Sequence, residues 1–179
     1  NLMAQTSATR TSPTGLSNII GVADGTTIFV MGSSTYQPNL GFSTEELVDS
    51  DWTGNITVSL TSWSLPTDAN FALYTTNLAG TSVVDRIFST FNVSNTDFSN
   101  SFPIVPVDHL HFQWGFTDLG TYSFDITWSG THATDGAIST TETFVVEVVP
   151  EPSTALLLGA GSLALWMVAR RKRALRNAA

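Results

Sequence analysis

The chain has 179 residues, enough for one domain of ordinary size and too few for two comfortable ones. Aromatic residues make up 11% and charged residues only 12%, which excludes intrinsic disorder for the bulk of the chain. The net charge of −8 argues against a nucleic-acid partner, and the absence of cysteine removes disulfides, thiolate zinc sites and cysteine nucleophiles.

The distribution of charge is uneven. All fifteen acidic residues lie at or before Glu151, and with only Arg10 and Arg86 against them residues 1–152 carry −13; the last 27 residues carry +5. Such a split predicts two parts with different solvents. Twenty serines and 26 threonines favour strands and turns over helices.

In chain order, residues 1–17 are polar and read as a disordered lead-in. The first residue is Asn, and no charged stretch followed by an apolar one precedes the domain. An exported protein needs such a leader, which is therefore expected upstream or already removed. Apolar and polar residues then alternate at period two in short runs, the mark of half-buried strands. Candidates are 26–31, 56–61, 70–75, 82–89, 110–116, 122–128 and 142–149, separated by turn clusters such as Asp24-Gly25, Asp51 to Gly54, Pro66 to Asn70 and Asp118-Leu119-Gly120. Only 43–48 suggests a helical turn, with Ser43 or Thr44 as its cap before Glu45 and Glu46. Residues 129–141 read as a loop or wide hairpin. Seven or so short strands with one apolar face each predict an all-β fold, an immunoglobulin-like antiparallel β-sandwich over residues 18–149.

The densest cluster of chemistry-bearing side chains is Asp108-His109-Leu110-His111-Phe112-Gln113-Trp114. On a strand, His109, His111 and Gln113 share one face and the apolar residues the other. If 109–116 and 122–128 form a hairpin with coincident apolar faces, His111 lies opposite or diagonal to Asp125. His132, just past the partner strand, could then approach His109. Two readings follow. His109, His111, Asp125 and His132 offer a divalent-metal site, with zinc as a suitable ion; or the imidazoles are structural and hydrogen-bond Asp125 and loop carbonyls. No Gly-x-Ser-x-Gly elbow is present. Glu45, Glu46, Asp49 and Asp51 read as solvated loop charges rather than glycosidase carboxylates.

The pattern His-x-His-x-x-Trp-x-Phe-Thr-x-x-Gly-x-Tyr, here His109 through Tyr122, resembles the hallmark of the choice-of-anchor M domain of bacterial surface proteins. Thr27-Ile28-Phe29-Val30, Leu40-Gly41-Phe42, Glu45-Glu46-Leu47 and Phe71-Ala72-Leu73-Tyr74 are similar to it as well. The resemblance implies a surface-anchored domain and, through relatives associated with metal-type transporter binding proteins, a receptor role that favours metal.

The carboxyl end differs in kind. Residues 153–169 are seventeen uncharged, mostly apolar residues. As a helix they reach roughly 25 Å of a ~30 Å hydrocarbon core, which suffices if the flanking arginines snorkel. The reading is one transmembrane helix over 154–169, with Arg170, Arg171, Lys172 and Arg173 as a stop-transfer cluster and 170–179 as a basic cytoplasmic tail. Residues 150–153 form the linker, in which Pro150 and Pro152 hold Glu151 extended and accessible.

Pro150-Glu151-Pro152, an apolar helix and a terminal basic cluster, in that order, resemble a PEP-CTERM sorting signal of Gram-negative bacteria. That resemblance implies processing by an exosortase-type transpeptidase, passage through the inner membrane, and a final place at the cell surface or in extracellular polysaccharide. The expected function is a noncatalytic exported binding or matrix protein. The alternative is a secreted polysaccharide hydrolase.

Overall fold

The computed structural model describes residues 2–32, 40–91 and 99–150. Twelve strands carry nearly all the regular structure of these residues: β1 (Leu2–Thr6), β2 (Thr9–Thr11), β3 (Thr27–Met31), β4 (Gly41–Ser43), β5 (Ile56–Ser64), β6 (Phe71–Thr76), β7 (Val83–Ser89), β8 (Ser101–Ile104), β9 (His109–His111), β10 (Gln113–Phe116), β11 (Gly120–His132) and β12 (Gly136–Val148). One sheet has the order β1-β12-β11-β5-β8, a second has β2-β3-β10-β6-β7, and β4 pairs with β9 as a separate ribbon. The all-β expectation holds.

The inner faces of the two sheets meet in one apolar core. Val58, Leu60, Phe124, Ile126 and Val146 come from the first sheet; Met31, Phe71, Leu73, Trp114 and Phe116 come from the second. Phe71 and Phe124 touch across the gap, their ring centroids 4.3 Å apart. The alternation of β5, β11 and the end of β12 is thus the signature of one buried face. β6 is different: four of its residues in succession are buried. Phe71 and Leu73 enter the main core, while Ala72 and Tyr74 join Leu16, Ile19, Ile20, Ile28 and Val30 in a second cluster outside the sheet. A one-turn helix, α1 (Ser17–Ile20), supplies the lid of that cluster. Gly115 faces it, and a Cβ there would come within 3.1 Å of the Tyr74 ring.

Several expectations need correction. The predicted lead-in is largely strand: β1 lies parallel to β12, from Leu2 opposite Phe144 to Thr6 opposite Val148, and β2 pairs with β3. A polar, Thr-rich segment gains its order from ready-made sheet edges, a tertiary effect that composition does not carry. The parallel β1–β12 pair also makes the first sheet mixed rather than wholly antiparallel. Of the two readings of residues 129–141, the hairpin holds and the loop does not. β11 and β12 stay paired from Gly120–Val148 out to His132–Gly136, and only 133–135 form the turn. Residues 136–142 are exposed nearly throughout, so no buried face imprints an alternation on them. The turn expected at 43–48 is present as a single turn, in which the Leu47 N–H donates to the Thr44 carbonyl at 2.9 Å.

The greatest departure concerns the expected hairpin. β10 belongs to the second sheet and β11 to the first, so residues 117–119 carry the chain across the sandwich instead of folding it back beside itself. Trp114 and Phe116 therefore look across the core at Tyr122 and Phe124. Phe116 meets Tyr122 edge-on at 4.9 Å. The crossing is pinned by Tyr122, which is fully buried and whose hydroxyl donates to the Asp118 carbonyl at 2.9 Å while accepting from the Asp118 N–H at 3.1 Å. Such a tyrosine corner is a recurrent device at the crossing between sandwich sheets. Burial pushes the Tyr122 hydroxyl pKa up, which keeps it a donor. Tyr122→Phe removes both bonds and leaves backbone groups of Asp118 unpaired; the expected loss is about 1–3 kcal/mol in urea unfolding, without change of fold.

Candidate functional site

His109 and His111 sit on β9, a three-residue strand whose one sheet partner among the described residues is β4: His109 lies opposite Ser43, and His111 opposite Gly41. Gly41 is required there, because a Cβ would approach the Leu110 carbonyl to 2.4 Å and the His111 ring to 2.9 Å. The ribbon is held at its base by Thr44, which is buried. Its hydroxyl donates to the carbonyls of Val105 and Asp108, at 2.7 and 3.1 Å, and accepts the Asp108 N–H. Within this clasp Val107 takes φ +63, a conformation that a β-branched residue adopts only when its surroundings impose it. Thr44→Val should therefore loosen the ribbon specifically. Amide exchange is expected to accelerate at Phe42 and Leu110 and to stay unchanged at Phe124.

The two imidazoles share one face, as expected, with ring centroids 5.3 Å apart. The carboxylate that joins them is Glu45, not Asp125: His109 Nδ1 lies 3.0 Å from Glu45 Oε1, and both side chains are more than half exposed. Glu45 is fixed in turn by Ser43, whose hydroxyl donates to its other oxygen and accepts its N–H. The pair is an exposed, solvent-screened contact of small energetic weight. Its members are 64 positions apart in sequence and meet only because β4 pairs with β9.

Asp125 and His132 lie elsewhere. Asp125 is on the outer face of the first sheet, between Ser62 on β5 and Thr143 on β12. It accepts a hydrogen bond from each hydroxyl, and the Ser62 and Thr143 bonds hold its carboxyl below the usual aspartate range. His132 ends β11; its Nδ1 lies 2.9 Å from Asp135 Oδ2, and its ring stands edge-on to Trp52. The quartet of His109, His111, Asp125 and His132 is thus not assembled, because its derivation required the hairpin that the sheet crossing replaces. Among the described residues no three His, Asp or Glu side chains converge to hold a metal ion. Gln113, assigned to the histidine face, instead lies on β10, where it accepts from Arg10 and donates to Thr76.

Because the folded Asp125 has the lower pKa, its contribution to stability is present above the unfolded value and lost as pH falls through the folded one. Thermal midpoints below about pH 4 should therefore fall more steeply with pH for the native chain than for Asp125→Asn. Asp24 follows the same sign, since the N–H groups of Gly15 and Ser17 lower its pKa, so Asp125→Asn flattens only part of the slope.

At the carboxyl end, β12 stops at the buried Val148, the Val149 N–H donates to the Thr6 carbonyl at 2.9 Å, and Pro150 emerges exposed. Proline has no N–H with which to extend the ladder. Glu151, Pro152, the expected span 154–169 and the basic residues Arg170, Arg171, Lys172 and Arg173 lie outside the described residues. Among the described residues no helix is long and apolar enough to cross a membrane.

Comparison with known proteins bears on this end of the chain. No curated protein matches it. The N-terminal domain of PorA, a solved structure 12% identical, aligns over 83% of this chain and 87% of that one at a TM-score of 0.35, too low to carry an argument. Residues 148–173 match the PEP-CTERM protein-sorting motif. The chain thus carries the signal of an exported protein that exosortase sorts in a membrane-associated step.

Proposed function

We propose that the chain is a noncatalytic surface protein of a Gram-negative bacterium. It is an immunoglobulin-like binding sandwich, of the kind named choice-of-anchor M, held in the inner membrane by residues 154–169 until exosortase processes the tail. Its mature form then resides at the cell surface or among extracellular polysaccharide. The observation that carries this reading is the position of the sorting motif. It begins at Val148, the last residue of β12, so a cut near Glu151 leaves both sheets whole.

The likeness to choice-of-anchor M domains is supported by what its motif does in the fold. Trp114, Phe116 and Tyr122 are core residues around the sheet crossing.

Expression in a host that has an exosortase, followed by intact-mass analysis of surface material, tests the sorting. The expected product ends near Pro150-Glu151-Pro152 and lacks the basic cluster, and Glu151→Ala should stay in the inner membrane with its tail intact. Surface material that retains the whole tail would refute the reading.

A further inference from the structure

The outer half of the β11–β12 hairpin overhangs the second sheet. Trp128 and Gly130 on β11, and Ile138, Thr140 and Glu142 on β12, occupy inward positions in phase with the buried Phe124, Ile126 and Val146. Across from them stands Phe42, delivered by the β4 ribbon. Between lies a cleft of about 240 Å³ whose lining includes Phe42, Trp114, Ile126, Trp128, Phe144 and Glu142. The rings form a connected box: Phe42 stacks on Trp114 at 5.9 Å and 10°, Phe42 reaches Trp128 at 5.7 Å, and Trp114 reaches Phe144 at 5.2 Å. The other side of Trp128 walls a second recess of about 260 Å³ that holds Trp52 and Glu46.

Glu142 is out of character for its position. It lies opposite Ile126 on the inward face, yet it remains exposed, and among the described residues it has no recorded hydrogen bond or ion pair. Among the described residues no lysine or arginine lines either recess.

These features select the ligand by chemistry. Aromatic faces carry negative electrostatic potential, as do Glu142, Glu46 and a domain of charge −13, so an anion is repelled. A neutral sugar needs a circle of hydrogen-bond partners, whereas this cleft offers mainly rings. A cation with apolar substituents fits both the π faces and the carboxylate. The volume lies below that of drug-sized pockets, which limits the ligand to a small one. We propose that the cleft binds a small organic cation, an ammonium group with apolar substituents, among Phe42, Trp114, Trp128 and Phe144 with Glu142 as its counter-ion. The inference rests on the reading of the sandwich as a binding domain and is independent of tail processing, which mass analysis tests separately.

Titration of the full chain in a polyoxyethylene detergent, followed by tryptophan fluorescence and calorimetry, tests it with choline as the cationic probe. Its neutral isostere 3,3-dimethylbutan-1-ol and the neutral sugar cellobiose serve as comparators. Choline should saturate the site, with the isostere at least about tenfold weaker and cellobiose inert. Glu142→Gln, an exposed substitution, should weaken choline about tenfold and leave the thermal midpoint unchanged. Trp128→Leu keeps apolar volume and should abolish the fluorescence response. Equal affinity for the isostere, saturation by cellobiose alone, unaltered choline binding in Glu142→Gln, or no saturation by about 10 mM choline would each overturn the proposal.

Discussion

The bond pair between the Tyr122 hydroxyl and the backbone of Asp118 fixes where the chain leaves one sheet and enters the other. Everything distal to it depends on that decision. Had the chain folded back within one sheet, Trp114 and Phe116 would lie beside Tyr122 and Phe124 on one surface. Crossing instead puts them face to face, and the core closes between them. The cost is a buried phenol, offset because both lone-pair and proton demands of its oxygen are met by one residue's backbone. The same crossing separates His111 from Asp125 and so decides the chemistry of the histidine motif.

The outer face of the first sheet shows how a chain so poor in charge satisfies its surface. The Thr127 hydroxyl lies 3.1 Å from that of Thr61 on β5 and 2.8 Å from that of Thr141 on β12, a row of contacts perpendicular to three strands. One step along β11, Asp125 accepts hydrogen bonds from the Ser62 and Thr143 hydroxyls in a parallel row. Cross-strand hydroxyl pairs each contribute little, but they repeat, and they favour a single register where no buried side chain enforces one. This explains how the hairpin can extend to His132 and Gly136 beyond the cover of the second sheet.

Much of the sandwich was legible because burial on one face writes period two into the sequence, as in Ile56-Val58-Leu60 and Tyr122-Phe124-Ile126. That signal says which face is apolar, not which strand lies alongside. His111 and Asp125 were joined on the strength of matching phases, and matching phases suit strands opposed across a core as well as strands paired in a sheet. The partner of His109 could not be found this way, since Glu45 is 64 positions away and comes near only through the β4–β9 ribbon. The cleft was legible in one residue. Glu142 keeps phase with Phe144, Val146 and Val148, and a carboxylate at an apolar beat of a strand marks either a solvent gap or a site. Trp128 holds the same beat on β11, directly opposite Thr140.

The geometry of β12 joins the two functional ends of the molecule. Its last residues, Phe144 to Val148, are flanked by β1 on one side and β11 on the other, so the strand that leads to the sorting signal is not an edge at its exit. Pulling on Pro150 therefore loads two ladders at once. From Val148 back to Glu142 is about 20 Å of extended chain. Glu142 in the cleft lining thus lies six residues up the strand from Val148, where the sorting motif begins, so a cut near Glu151 leaves the cleft within the mature domain.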